Sequence, residues 1–132
     1  MIISCDTNSD IPIYLQLRNQ IVKGIGRGEL KAGESLPTVR QLAVDAGINT
    51  MTVNKAYQLL KSEGFIVIDR RKGAAVCPVR EDSGAFREKL ESELELLSAE
   101  ACFYGVKQQD FLNSCEKIYA QMHISGHLTL EG

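Results

Sequence analysis

The first periodic segment of the chain repeats an apolar side chain at every fourth position: Ile13, Leu17, Ile21 and Ile25. A helix completes one turn in about 3.6 residues, so this spacing places the repeated side chains on one face. Pro12 suits the first turn of this helix, and Asp10 is placed to cap its start. The segment therefore predicts an amphipathic first helix that packs against a core.

Two further helical patterns follow a turn-rich connector over residues 29–37. Thr38 and Gln41 make a capping box at the start of the second helix, because each side chain can satisfy an exposed backbone N–H near the other residue. Asn49 is a good N-cap for a third helix over about residues 50–62. The inward positions of this third helix are Val53, Ala56, Tyr57 and Leu60.

A short β-hairpin is predicted directly after the third helix. Residues 65–68 and 74–77 are short, partly β-branched runs that a charged segment with a glycine separates. The tip of this hairpin carries Arg70, Arg71, Lys72 and Gly73. Helices followed by a hairpin, with a glycine in the turn between the second and third helices, give the order of a winged helix-turn-helix.

A polar stretch over residues 80–84 marks a predicted boundary between residues 1–80 and residues 81–132. Beyond it, apolar side chains recur at helical spacing in one long segment and again over about residues 107–123. The apolar positions that we assign to an interface are Leu90, Leu94, Leu97, Ala101, Phe111 and Ile118. Two such helices cannot bury their stripes alone, so they must pack on the first domain or on a second copy. The fold class is therefore mainly α with a small β-hairpin.

Charge is distributed unevenly between these two parts of the chain. Residues 1–80 hold 11 Lys and Arg against 7 Asp and Glu, a balance of +4, whereas residues 81–132 hold 4 against 10, a balance of −6. The whole chain has a formal net charge of −2. This asymmetry favours a first part that meets a polyanion and a second part that does not, but a balance of +4 is also typical of an ordinary solvated surface.

Composition excludes several classes of protein. No apolar stretch is long enough to span a membrane, and the N-terminus lacks the pattern of a secretory signal, so we expect a cytoplasmic protein without a membrane partner. The four cysteines are scattered without a C-x-x-C pair, which favours free thiols in a reducing compartment.

Several spaced motifs resemble the GntR family of bacterial transcription regulators. They are Pro12-Ile-Tyr-Leu-Gln16, Leu36-Pro-Thr-Val-Arg40-Gln-Leu-Ala43, Thr52-Val-Asn-Lys-Ala-Tyr57 and Glu63-Gly-Phe65. The resemblance covers about residues 11–77, and the short helical tail is similar to that of the YtrA-like branch. It implies a DNA-binding domain followed by a two-helix dimerisation region. We therefore expect a homodimeric transcriptional repressor that binds an inverted-repeat operator.

The resemblance also implies which residues meet double-stranded DNA. Arg40 of the Leu-Pro-x-x-Arg motif would contact phosphate or a guanine edge. The first turns of the third helix, expected in the major groove, carry Thr50, Thr52, Asn54 and Lys55. The hairpin would be the wing, with its cations along the phosphate backbone or in the minor groove. The family commonly has Gly-x-Gly followed by Thr and an aromatic residue there, and this chain departs from that pattern. Gln16 either touches the DNA backbone or is solvated, and Met51 stays unassigned.

Three alternatives complete the sequence-based interpretation. A metal site would use Cys115, His123 and His127, but Gly126 interrupts the helix that would bring the histidines together. An enzyme would need a nucleophile and base, a phosphate-binding loop or paired carboxylates, and no such motif is present. We therefore expect no catalysis, no metal and no cofactor. A winged-helix module that binds protein instead of DNA is the main rival, and a small-molecule effector of unknown identity is kept open as a further partner.

Overall fold

The structure is a computed structural model that describes residues 3–71, 73–81 and 84–123. The elements in chain order are α1 (Ile13–Gly26), α2 (Val39–Ala46), α3 (Thr50–Glu63), β1 (Ile66–Asp69), β2 (Gly73–Val76), α4 (Ala85–Phe103) and α5 (Gln108–Tyr119). The chain divides into two compact units, one running up to Val79 and including His123, the other covering Arg80–Met122. The first unit is a winged helix-turn-helix, and the second contains α4 and α5.

The helix α1 buries the apolar face that its spacing predicts. Leu17 and Ile21 are completely buried, and α1 packs along α3. The predicted cap at Asp10 is wrong, because Pro12 occupies the N-cap position and no side chain caps the helix. Asp10 lies too far before Ile13 for its carboxylate to meet the first-turn N–H groups.

The turn between α2 and α3 has the caps that the sequence predicts. The Gln41 N–H donates to the Thr38 hydroxyl at 3.0 Å, and the Thr38 N–H donates to the Gln41 side chain at 3.4 Å. Gly47 ends α2 with a φ of 67°, a left-handed conformation that glycine adopts without steric cost. Asn49 then caps α3 by accepting from the Met51 N–H at 2.7 Å. These local bonds set the direction in which α3 leaves α2.

The inner face of α3 forms the centre of the core. All its predicted inward residues are buried: Val53, Ala56, Tyr57 and Leu60. Tyr57 is only 2% exposed, and its hydroxyl donates to the Pro37 carbonyl at 2.7 Å. This bond ties the middle of α3 to the segment that leads into α2.

The hairpin contains one more pairing than the sequence indicates. β1 and β2 pair antiparallel, with Asp69 opposite Gly73 at the tip. Part of the predicted connector also pairs with β2: the Leu36 N–H donates to the Ala74 carbonyl at 2.9 Å, and the Val76 N–H donates to the Glu34 carbonyl at 3.0 Å. A segment this short and polar has no apolar alternation, so its pairing leaves no periodic signal.

The second unit exposes its apolar stripes. No residue within α4 or α5 is buried. Of the assigned interface positions, Ala101 and Phe111 are half-buried and the rest are exposed: Leu90, Leu94, Leu97 and Ile118. α5 ends at Tyr119 and not at His123, because Gln121 and Met122 donate to carbonyls three residues back in a tightening turn. No helix among the described residues is both long and apolar enough to cross a membrane.

The Tyr57 hydrogen bond yields a test of the core. Tyr57→Phe keeps the ring but leaves the Pro37 carbonyl without its donor, so the free energy of unfolding should fall by about 1–2 kcal/mol. Urea unfolding at neutral pH measures this change. An unchanged midpoint and slope would mean that water replaces the phenol at no cost.

The same variant tests a pH dependence. Burial raises the pKa of Tyr57 to about 12 in the folded protein, whereas the pKa of this phenol in the unfolded chain is about 10. The contribution of the Tyr57 phenol to the free energy of unfolding is therefore complete below about pH 10 and is lost as pH rises through about 12. It is lost because the phenol of the unfolded chain gives up its proton at a lower pH than the phenol of the folded protein. The stability advantage of the unaltered protein over Tyr57→Phe should narrow across this range. A constant difference between the two proteins would contradict the prediction.

Candidate nucleic-acid interface

The first turns of α3 present polar side chains beside and opposite the buried face. Thr50, Asn54 and Lys55 are exposed, and Thr52 is half-buried. Met51 is 78% exposed, although it is apolar. Because the same helix buries Val53, Ala56, Tyr57 and Leu60, its rotation about its own axis is fixed. The structure thus brings all four predicted α3 residues to the same end of the helix.

Arg40 stands at the second position of α2 with its side chain exposed. Two contacts hold this end of α2: the Thr38 capping box within the helix, and the bond from Tyr57 of α3 to Pro37. The position of the Arg40 backbone is therefore coupled to α3. Neither contact uses the guanidinium group of Arg40.

The hairpin tip is shaped by one side chain and one glycine. The Arg71 N–H donates to the Asp69 carboxylate at 2.8 Å, which stabilises the turn locally. Gly73 has a φ of 76° and so supplies the left-handed residue that closes it. Arg70 and Arg71 are exposed, and Lys72 lies outside the described residues.

The arginines of the first unit differ in the partners that their side chains have. The Arg18 guanidinium donates to the Glu63 carboxylate at 2.8 Å and lies 5.4 Å from the centre of the Phe65 ring, so it serves the packing of α1 on α3. In contrast, the side chains of Arg40, Arg70 and Arg71 make no ion pair or hydrogen bond with any residue that the structure describes. No described residue neutralises the charges of Arg40, Arg70 and Arg71, so these side chains can bind the phosphates of a polyanion.

A shallow groove lies between the start of α1 and the start of α3. Its volume is about 410 Å³, and its lining residues are Ile13, Tyr14, Met51, Thr52 and Lys55. The Lys55 ammonium lies 4.1 Å from the centre of the Tyr14 ring. Sequence reasoning missed this contact, because Tyr14 belongs to a different helix and no local spacing links the two residues.

Gln16 has a structural role that neither sequence-based interpretation foresaw. Its side-chain oxygen accepts from the Asp6 N–H at 2.8 Å. Its side-chain NH₂ donates to the carbonyls of Asp6 and Ile11, each at 2.8 Å. The Gln16 amide thus holds the segment before α1 against this helix, and both its oxygen and its NH₂ group have hydrogen-bond partners within the protein.

The metal hypothesis names Cys115, His123 and His127. Within residues 3–71, 73–81 and 84–123, no group of at least three His, Cys, Asp or Glu side chains could hold an ion. Cys115 lies on α5, whereas His123 belongs to the first unit and donates its backbone N–H to the Gly26 carbonyl. His127 lies outside the described residues. Burial raises the pKa of the Cys5 thiol, which disfavours its reactive thiolate form.

Comparison with known sequences relates this geometry to a family. The sequence model of the family described as bacterial regulatory proteins, gntR family, matches residues 13–76. The chain is 31% identical over 86 residues to the uncharacterized HTH-type transcriptional regulator YhcF of Bacillus subtilis, covering 65% of this chain and 71% of that protein. It is 39% identical over 74 residues to the HTH-type transcriptional repressor YtrA of Bacillus subtilis, covering 56% of this chain and 57% of YtrA.

Solved structures give the same grouping. YtrA from Sulfolobus acidocaldarius, described as a GntR-family transcription factor, superposes with a TM-score of 0.65 and 39% identity, over 75% of this chain and 99% of that one. The AraR DNA-binding domain in complex with operator ORE1 superposes with a TM-score of 0.50 and 25% identity, over 55% of this chain and 88% of that one. The architecture around α3 is thus similar to that of a domain solved on its operator.

Proposed function

Because this chain belongs to the GntR family of bacterial regulatory proteins, and so is a DNA-binding transcriptional regulator, we propose that it is a repressor that binds an inverted-repeat operator as a homodimer. The observation that carries the proposal is the exposed polar start of α3 together with Arg40 on α2 and Arg70 and Arg71 on the hairpin, whose side chains have no ion pair or hydrogen bond with the described residues. An α-helix fits the major groove of DNA, and unpaired cations gain from nearby phosphates. The operator complex of AraR, which shares the architecture, supports this use of the surface.

The polar residues divide into two roles by position and chemistry. Arg40, whose guanidinium group has no partner in the described part of the chain, is proposed to bind a phosphate and so to supply affinity. Asn54 is proposed to read adenine, which an amide can bind through two hydrogen bonds, and Lys55 to read guanine. The hydroxyls of Thr50 and Thr52 are proposed to bind phosphates on either side of the groove.

The hairpin is proposed to act as the wing of the domain. Its tip, Arg70 to Gly73, carries cations on a short turn, and Arg70 and Arg71 are exposed and unpaired among the described residues. Such cations would lie along the phosphate backbone or in the minor groove, where the potential is most negative when the groove is narrow. They would add affinity and little preference among sequences.

The second unit is proposed to form the dimer. α4 and α5 leave large apolar side chains exposed, including Leu90 at 39% and Ile118 at 57%, and monomeric proteins rarely leave such contiguous patches uncovered. The proposed interface residues are Leu90, Leu94, Leu97, Ala101, Phe111 and Ile118. The acidic balance of this part of the chain disfavours contact with DNA, which makes a second copy the better partner. Twofold symmetry would then present two copies of α3 to two half-sites.

Repression is proposed from the named function of the relative YtrA. A small-molecule effector remains an additional partner in this proposal, without residues assigned to it. The direct test is to select bound duplexes from a random DNA pool at moderate salt. We expect an inverted repeat whose half-site centres lie about 34 Å apart, or a multiple of that distance. A pool that stays random, with no loss of binding as salt rises, would instead favour a protein-interaction module.

Two alanine variants distinguish residues that supply affinity for any DNA from residues that supply preference for one base sequence. Arg40→Ala should weaken binding to the selected duplex and to random DNA by the same factor, because phosphates are present in every sequence. Asn54→Ala should relax the preference at one base position, with a cost of about 1–3 kcal/mol on the selected duplex. Competition binding on both duplexes measures these effects. An equal loss on both duplexes for Asn54→Ala would remove that residue from base reading.

A wing variant tests the role of the hairpin cations. If Arg70 and Arg71 each neutralise a phosphate in both subunits, Arg70→Ala/Arg71→Ala should flatten the slope of log K against log salt by about 3.6. The control is Lys23→Ala/Lys61→Ala, which removes the same charge at the far ends of α1 and α3. We expect the control variant to show the same slope of log K against log salt as the unaltered protein. Identical slopes in all three proteins would place the hairpin cations in solvent.

A pair of aspartate variants tests the interface. Leu94→Asp places a charge in the apolar stripe of α4 and should convert the dimer to monomer, because an unpaired buried carboxylate is costly. Ser92→Asp adds the same charge on the opposite side of α4 and should leave the dimer intact. Sedimentation equilibrium reports both, and circular dichroism confirms that the helices persist. A dimeric Leu94→Asp protein would refute this interface.

A further inference from the structure

We infer that Tyr14 is a positioning residue for Lys55: the ring of Tyr14 holds the Lys55 ammonium group at the start of α3, ready to meet DNA. This inference rests on the proposed role of Lys55 in reading DNA and adds to it a residue that does not itself touch a base.

The geometry joins two helices across the groove. The Lys55 ammonium lies 4.1 Å from the centre of the Tyr14 ring, well within the range of a cation–π contact. Tyr14 is half-buried and packs against the core, whereas Lys55 is exposed. The core therefore fixes the ring of Tyr14, and the contact with this ring restricts the flexible side chain of Lys55.

An aromatic ring differs from a carboxylate as a partner for a cation that must bind DNA. A carboxylate neutralises the charge and occupies N–H donors, as Glu63 does for Arg18. The face of a ring attracts the ammonium group but leaves its positive charge, and its N–H donors can point away from the ring. Lys55 thus stays competent to bind a phosphate or a base edge.

The gain from this contact is preorganisation. A free lysine side chain has many rotamers and loses them on binding, which weakens the complex. The ring of Tyr14 restricts those rotamers before DNA arrives. The other α3 residues that line the groove, Met51 and Thr52, belong to the first turns of the same helix. The ammonium group is therefore held on the surface that the proposed function assigns to DNA.

A double-mutant cycle tests the inference on the duplex that the unaltered protein selects from the random pool. Tyr14→Leu removes the ring face and should weaken binding about three-fold for each bound subunit, whereas Tyr14→Phe keeps that face and should stay within about two-fold. In the background of Lys55→Met, which removes the charge but keeps the chain length, Tyr14→Leu should have no further effect. Thermal midpoints of all variants show whether the fold is retained.

Each contrary result has a distinct meaning. An equal loss from Tyr14→Leu with and without Lys55 would show that Tyr14 acts only through packing and would overturn the inference. Tighter binding by Tyr14→Leu would also overturn it, because the ring would then be withholding Lys55 from DNA. If Lys55→Met binds as well as the unaltered protein, the proposed role of Lys55 fails, and the positioning role fails with it.

Nuclear magnetic resonance gives a readout that a purely structural role of Tyr14 would not produce. Protons above an aromatic ring shift upfield, so the ε-methylene protons of Lys55 should be shifted in the unaltered protein and in Tyr14→Phe but not in Tyr14→Leu. The shift should persist when the selected duplex is bound. Its disappearance on binding would mean that Lys55 leaves the ring, and the inference would be wrong.

Discussion

Tyr57 fills the centre of the first unit and donates its hydroxyl hydrogen to the Pro37 carbonyl, 2.7 Å away. Pro37 stands between two structural elements, because Leu36 before it pairs with β2 and Thr38 after it caps α2. One buried side chain of α3 is thus bound to the point where the hairpin sheet and the helix-turn-helix meet. The proposed contacts of Arg40, of the α3 surface and of the hairpin tip all depend on this junction.

The sequence predicted those features that short-range chemistry determines. The caps at Thr38 and Asn49 were confirmed because each joins residues only two or three positions apart. The buried face of α3 was confirmed because helical periodicity decides it. The same local reasoning failed at Asp10, where the exact first residue of α1 decides whether a carboxylate can reach an N–H group.

Long-range contacts explain what the sequence did not indicate. The pairing of Glu34 and Leu36 with β2, the fastening of the N-terminal segment by Gln16, and the contact between Tyr14 and Lys55 each join residues that are distant in the chain. No spacing rule connects such residues, so only the packed structure brings them together. For the proposed DNA surface, this means that residue types could be predicted from motifs, whereas the contact of Lys55 with Tyr14 could not.

The pairing of the Glu34–Leu36 segment with β2 also has a consequence for the order in which the domain can assemble. Both α2 and α3 lie in the loop that this pairing closes, so the sheet cannot be completed until a long stretch of chain has been brought back on itself. Helices form from neighbouring residues and lose little chain entropy through loop closure. Pairing of strands that are distant in the chain loses more of this entropy and is slow. During synthesis, the three helices can therefore gain structure while β2 is still inside the ribosome. Among the helices and strands of the first unit, the hairpin would be the last to reach its final place.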